Sequence, residues 1–435
     1  MIYMYDAKGN APAPGPLMRS TLPAVRPTGR WGVAPPSVWL AITSLFLIST
    51  VLDGPIRYFL ASKSLAPIAY LPKVMMVVAL LLLVPRRASL AGAALVTMAA
   101  ALCTLWGSLN LSSVSQAVFG LWVLVPFLYG LGAGRYVLEE YGSYSGVLLA
   151  AFLVASAGIF LSPFVSFPWS GSEITLGGKS IQVSRQWTSM GIDRYAGFSR
   201  ASYSAASQIL TLSVLIFVGI KSRFLATAIW LSAGAAILMT TAKGLVAAWL
   251  VTTLFFLSGK ATRQSRDWRL VWASFLLLAT FLVVAVPVST LLLQYGASNE
   301  GDSFLFGSFI ERIVWMWPDS FRLLSTPAEW LFGRGAGGIG TAQQYFDPDG
   351  YRPADNIFVY SAVMLGPFAA FILLALLGKR CSSRLVRGIT PDGTFPLVIC
   401  IMLYGLVANV VEDSFLAFFL GACISTLFSL HPRAK

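Results

Sequence analysis

A chain of 435 residues, 57% hydrophobic and only 11% charged, is too apolar to be a soluble protein of several domains. Its net charge of +13 does not require a nucleic-acid partner, because the basic residues fall where membrane topology alone would put them.

Residues 1–36, rich in Pro, Gly and Ala, read as a disordered cytoplasmic tail, since a signal peptide would carry its apolar core nearer the start. Beyond them come twelve apolar runs near the length of about 20 residues that crosses a bilayer. Five lie within 37–164, four within 203–293 and three within 356–430. The predicted fold class is an all-α polytopic membrane protein with about twelve transmembrane helices. With both termini cytoplasmic, the inner segments hold 19 of the 31 basic residues but only 5 of the 18 acids. Each inner basic cluster then reads as a solvated loop. The short cytoplasmic tail 431–435 carries the only histidine, His431, which rules out imidazole catalysis outside the membrane. Four scattered cysteines, Cys103, Cys381, Cys400 and Cys423, suggest neither a disulfide framework nor a metal site.

Two long connections face outward, 165–202 and 294–355, and both mix charge, aromatic rings and glycine. The first contains "GIDRYAGFSRASYS", with Arg194 and Arg200 shortly before the sixth span. The second contains "FIERIVWMWPDSFRLL". Its Arg312, Trp315, Asp319 and Arg322 are spaced to share one helical face, with Pro318 kinking the helix or starting a new one. Two readings stand for this stretch. It is an interfacial amphipathic helix anchored by Trp315 and Trp317, or it aims a pair of arginines at an anionic headgroup. A guanidinium grips phosphate oxygens two at a time and never loses its charge.

Farther along the second loop, Gly335, Gly337 and Gly340 spell the dinucleotide fingerprint G-x-G-x-x-G. That fingerprint works only between a strand and a helix. Here "STPAEWLFGR" precedes it and "YFDPDGYRPADN" comes after, so no dinucleotide site is expected. The glycines make either a structural turn or an anion-binding nest. Asp355 and Asn356 close the loop, and Asp355 stands either as a base or as the cap of the tenth span. Lys243, in "TTAKGLVAAW", is a charge set among the spans, at the outer turn between the seventh and eighth. A coupled transporter would place acids or broken helices at the bilayer midplane. Chemistry at the outer face fits better.

The order of "RYAGFSRAS", "TTAKG", Arg312-x-x-Trp315, "LFGRGAGG" and "ADNIFVYSAVMLGP" resembles the O-antigen polymerase and O-antigen ligase superfamily over roughly residues 190–378. The resemblance implies a membrane glycosyltransferase of the bacterial inner membrane that moves a glycan from a polyprenyl-pyrophosphate carrier to a hydroxyl, using no metal and no cofactor. It maps Arg194 and Arg312 onto the two outer-loop arginines of the family. Substrate contacts are expected from Arg200, Lys243, Trp315, Arg322, Gly335, Gly337, Asn356 and Tyr360, with the rings of Tyr360, Trp315 and Trp317 placed either to stack on sugar faces or, for the tryptophans, to anchor at the interface. Arg322 and Gly333 match the Arg-x10-Gly spacing of some polymerases; the first loop lacks it. Lys243 stands where the family usually has arginine, which keeps the charge and loses the fork. The ligase branch carries a histidine before its late span, where this chain has Asp355 and Asn356, followed by Tyr360. The expected function is therefore polysaccharide polymerisation on a lipid-linked repeat unit, with Arg312, Asp355 and Arg194 as the catalytic set. Membrane lipids, a flippase and a chain-length regulator are the implied partners. The alternatives are ligation of finished glycan to a lipid or protein, and, in a different class, transport of lipid-linked sugars.

Overall fold

The computed structural model describes residues 36–83, 90–139, 145–176, 179–189, 191–293, 306–388 and 393–428. The predicted tails, including His431, and the first part of the second loop, 294–305, lie outside the described residues. The rest belongs to one unit, 34–435.

The chain is mostly helical. Helix α1 (Pro36–Val51) bends by 82° into α2 (Asp53–Ser62), and a 3-10 turn at Ala66–Tyr70 leads to α3 (Leu71–Leu83). Helices α4 (Leu90–Asn110), α5 (Val114–Glu139) and α6 (Ser145–Leu161) come after it. Among the described residues three stretches are long and apolar enough to cross a membrane: Val114–Gly134, Ser202–Gly219 and Arg266–Leu292. The bent pair α1–α2 makes a fourth if it counts as one span. Six further apolar helices run 10–17 residues. Membrane-crossing character is thus carried by fewer long helices than there are apolar runs, because many runs are shortened or broken at their ends.

Helix α5 is the central post. Gly130 and Gly134 lie one helical turn apart and face the last helix, α19 (Ser414–Phe428); a Cβ at either would collide with the backbone at Phe418 or Ala422. Small residues at this spacing bring two helix backbones into contact where burial against lipid supplies little driving force. Tyr129 and Phe418 stack beside the crossing at 5.9 Å, and Trp39 of α1 covers Tyr129.

The first outer loop is not all-α. It folds as two antiparallel hairpins, β1 (Glu173–Leu176) with β2 (Lys179–Gln182) and β3 (Trp187–Ser189) with β4 (Ile192–Arg194). Trp169 anchors it, stacked on Phe167 at 4.9 Å and donating Nε1–H to the carbonyl of Gly197 at 3.0 Å. Gly197, at φ +59, presses against Gly158 of α6, where a side chain would not fit. Helices α7 (Ser202–Gly219), α8 (Arg223–Met239), α9 (Lys243–Leu257), α10 (Gly259–Gln264) and α11 (Arg266–Leu292) come next.

The second loop is built of short helices: α12 (Gly307–Glu311), a π-turn at Arg312–Met316, α13 (Trp317–Phe321), α14 (Pro327–Phe332) and α15 (Thr341–Phe346). Helices α16 (Ile357–Leu365), α17 (Pro367–Val386) and α18 (Thr394–Gly405) lead to α19. Sequence chemistry explains the start of α14. Thr326 and Glu329 form a reciprocal capping box, and Pro327 sits at the first helical position, where its missing N–H costs nothing.

Candidate functional site

Arg194 ends strand β4, and its hairpin turns it toward the tight connection between α8 and α9. Its Nε–H donates to Thr241 Oγ1 at 3.0 Å and an Nη–H to the Thr241 carbonyl at 3.4 Å. Thr241 adopts φ +55, a left-handed conformation rare for a β-branched residue and costly by about 1–2 kcal/mol. The turn is held by Thr240, whose hydroxyl donates to Ile237 O at 2.6 Å and accepts from the Ala242 amide at 3.3 Å. Lys243 opens α9 directly after it. Gly244 then lets α9 approach the end of α18: an added Cβ would lie 2.6 Å from Val407 and 3.2 Å from Tyr404.

Arg312 comes from a third segment. It donates to Asp355 Oδ2 at 2.8 Å and to the Ser308 carbonyl at 2.6 Å. Its Nε is buried without a hydrogen-bond partner among the described residues. The π-turn that begins at Arg312 makes this possible. A π-turn holds about one residue more than an α-turn, so it rotates the residues beyond it by about 100°. Arg312 therefore faces inward with an 18% exposed side chain, while Arg322 faces solvent at 78% and pairs with Asp319 at 2.5 Å. The single face expected for Arg312, Trp315, Asp319 and Arg322 is not formed.

The charges of Arg194 and Arg312 both reach Lys243, so three cations from three distant segments share one field. Burial lowers the Arg194 pKa; Tyr404 opposes that, and Arg312 adds to it. A guanidinium so placed stays charged. Asp355 is the carboxylate paired with Arg312, and its side chain is 36% exposed.

Asp355 does not cap the tenth predicted span. Asn356 does: its Oδ1 accepts from the amides of Phe358 at 2.7 Å and Val359 at 3.0 Å. Its Nδ2 donates to the carbonyls of Val283 and Leu406, and the residue is fully buried. Asn356 is thus a structural residue with its polar groups committed, and Asp355 is left for Arg312. Tyr360 is also in the core, 2% exposed, with no ring face open to a sugar. Trp317, expected at a membrane interface, is completely buried; Trp315 is 58% exposed.

The glycine loop turns its amides inward. Arg334 N donates to Val363 O, Gly335 N to Met364 O and Ala336 N to Cys103 O, while Gln116 Nε2 donates to Gly337 O. Gly335 and Gly337 have φ of +83 and +81, and a Cβ on Gly120 of α5 would collide with Gly337. Of the two sequence readings, turn or nest, the geometry is that of a turn packed between helices. Gly333, the partner of Arg322 in the Arg-x10-Gly spacing, ends α14 and accepts from Trp106 Nε1 at 2.8 Å. Glu329 is buried, which favours the acid form, but the Ser325 hydroxyl, the amides of Ser325 and Thr326, and Arg334 together bring its pKa below the usual value.

Sequence reasoning missed four residues here. Thr241 gave no signal, because its role rests on a backbone angle. Trp187 lies under the guanidiniums of Arg194 at 5.5 Å and Arg185 at 5.9 Å. Glu412 and Asp413 carry a signal in the sequence, two acids in succession between apolar runs. Glu412 accepts from Thr341 N at 2.8 Å and from the Thr341 hydroxyl at 3.1 Å. Asp413 caps α19 through the amides of Phe415 and Leu416. Compared with family models, with curated proteins and with solved structures, the chain matches none. Its chemistry therefore rests on its own residues.

Proposed function

We propose that the chain is a polysaccharide polymerase that works at the outer face of a bacterial inner membrane. In this reading it transfers a growing glycan from a polyprenyl-pyrophosphate carrier to a hydroxyl of a lipid-linked repeat unit. The observation that carries the proposal is the convergence of Arg194, held on Thr241 beside Lys243, with Arg312, whose partner is Asp355. Cations brought together from three segments suit a leaving group with several negative charges.

The twelve predicted spans fit this arrangement. If α1, α3 to α9, α11, α16 with α17, α18 and α19 each cross once, every connection that feeds the site lies on one side. Those connections are α6–α7, α8–α9, α11–α16 and α18–α19. Helix α18, with 12 residues, rises only about 18 Å against a hydrocarbon core of about 30 Å. The floor of the site would then be recessed below the membrane surface, within reach of a lipid pyrophosphate.

The proposed step balances simply. The acceptor O–H gives its proton to Asp355 as the oxygen bonds to the anomeric carbon of the donor. The bond from that carbon to the phosphate oxygen breaks, and its electron pair leaves with the polyprenyl pyrophosphate. Arg194, Lys243 and Arg312 stabilise the charge that develops there, and preorganised groups of this kind are often worth about 3–4 kcal/mol each, on the order of 10²–10³ in rate. Substrate binding must exchange the Arg312–Asp355 contact for an Arg312–phosphate one, which frees the base when the donor arrives.

The test is transfer by the purified chain in lipid discs, given polyprenyl-pyrophosphate-linked repeat units alone. Longer lipid-linked glycans and released polyprenyl pyrophosphate are expected. Transfer only after a separate lipid or protein acceptor is added would replace polymerase with ligase. No transfer under either condition, with carried sugars crossing the bilayer instead, would replace both with a transporter.

A further inference from the structure

A second group of cations stands beside the first and is not used by the step above. Arg57 of α2 donates Nε–H to Asp53 at 2.7 Å and an Nη–H to Tyr70 Oη at 3.3 Å, with its guanidinium over the Tyr70 ring at 5.1 Å. Lys73 of α3 places its ammonium 5.5 Å from the Trp122 ring centre. Lys73 feels the charges of Arg57, Arg200, Asp53 and Glu412, and Arg200 feels those of Arg57, Asp53 and Arg185. The four basic side chains come from α2, α3 and the first outer loop, and all are half-buried.

Their charges do not cancel. Among the described residues Arg57 alone of the four has an ion pair, with Asp53. Glu412 is the other acid near Lys73, and Thr341 already holds it. Partly desolvated cations without counter-ions are stabilised when an anion joins them. The fold fixes this group on purpose-built scaffolding: Arg185 N donates to Arg200 O at 2.8 Å, and Ser184 Oγ donates to Ser199 O at 3.0 Å. Ser199 in turn donates to Gln208 Oε1 of α7 at 2.6 Å.

The two groups meet at Trp187. Arg185 of the second group and Arg194 of the first both lie over its ring, which puts their guanidiniums within about 11 Å of one another. Tyr203 lies within the fields of Arg185 and Arg200 and of the acids Asp413 and Asp355.

We propose that Arg57, Lys73, Arg185 and Arg200 form a second pyrophosphate pocket, which holds the carrier of the acceptor while the Arg194–Lys243–Arg312 group holds the carrier of the donor. This inference rests on the transferase reading, in which two lipid-linked pyrophosphates must be present at once. One positive group would leave the second unneutralised. The half-exposed indole of Trp187 then separates the two pyrophosphates and keeps their charges apart.

The test counts bound molecules of sugar-free polyprenyl pyrophosphate on the full chain in discs of zwitterionic lipid, by native mass spectrometry. Wild type is expected to hold two. Lys73→Gln and Arg200→Gln should each hold one, Arg312→Gln should hold one, and Lys73→Gln with Arg312→Gln should hold none. Lys73→Arg, melting like wild type, should again hold two, which separates loss of charge from loss of fold. A wild type that holds one molecule, lost in Arg312→Gln and kept in Lys73→Gln, overturns the second pocket and leaves the transferase reading standing. A wild type that holds none overturns both. Anionic phospholipid is titrated in a parallel arm. If it displaces one molecule at equal concentration, the pocket is a phospholipid headgroup site and the proposal fails; displacement only at 10-fold or greater excess supports it.

Discussion

The guanidinium of Arg194 is fastened at two points to Thr241, by the hydroxyl at 3.0 Å and by the carbonyl at 3.4 Å, across 47 residues of chain. Thr241 makes both contacts from a left-handed backbone conformation, φ +55. Strain kept at one residue that orients another is the pattern expected of a working site. Thr241→Gly should relieve it. The melting temperature is expected to stay level or rise, since strain relief of about 1–2 kcal/mol outweighs the added chain entropy of about 0.5–1 kcal/mol. Transfer should fall about 10-fold with the loss of the hydroxyl, by about the net worth of one hydrogen bond to a charged group. Thr241→Ser should keep the activity. Thermal melts and transfer rates on the three proteins together check this.

Asp355 and Asn356 are neighbours with separate duties, and substitution should part them. Asp355→Asn should fold like wild type and lose transfer by about 10²–10⁴-fold, the usual worth of a general base. Its affinity for polyprenyl pyrophosphate should hold or improve, because Arg312 loses a competing anion. Asn356→Ala should instead fail on stability, by about 2–4 kcal/mol, through a lost cap and two lost donors to buried carbonyls. Expression level and detergent melting measure the second effect, and binding with transfer the first. Equal behaviour of the two variants would contradict the division of labour.

Stability should depend on pH through Glu412. Burial is the largest influence on its carboxyl; Thr341, Tyr360 and Lys73 oppose it, and the net pKa rises from 4.5 to about 7. A folded-state pKa above the unfolded one means the folded chain binds more protons between those two values. Stability from this group is then full below about 4.5 and falls as pH rises toward 7, by at most about 1.4 kcal/mol per pH unit. Melting temperatures from pH 5 to 8 should decline for wild type. They should decline less for Glu412→Gln, which keeps an acceptor for the Thr341 amide.

The glycine loop yields a prediction of a different kind. Gly120 and Gly337 bring the backbones of α5 and the loop so close that a methyl on either collides with the other segment. Gly337 adds a φ of +81 that an L residue resists. Gly120→Val is expected to lower stability by more than about 2 kcal/mol, at the upper end for overpacking a tight contact. Nicotinamide dinucleotides should have no effect on the melting of wild type. A melting shift on adding dinucleotide would overturn the structural reading of the G-x-G-x-x-G spacing.

The site was partly legible in the sequence, and the reasons differ by residue. Arg194, Lys243, Arg312 and Asp355 stood out because charge is rare in so apolar a chain, and topology put them on one side. Their convergence was not legible, since it depends on a strained angle at Thr241 and a π-turn at Arg312 that no spacing rule anticipates. The π-turn also misled the helical-face argument and made Arg322 an exposed surface residue. Asn356 and Tyr360 looked like site residues by proximity to Asp355, yet the helix they begin is sunk in the core. Apolar runs marked the helices well, but run length did not reveal which of them bend, as α1 does into α2. Nor did it reveal the two hairpins in the first outer loop, whose strands are only three or four residues long.

The central claim is that the Arg194–Lys243–Arg312 group serves the departing pyrophosphate, and its most direct test is the length of surface polysaccharide in the native host carrying Arg312→Ala. Protein level, matched by blot, removes stability as an explanation. The account predicts that long polymer disappears while single repeat units are still displayed. Full-length polymer at normal protein level would contradict it.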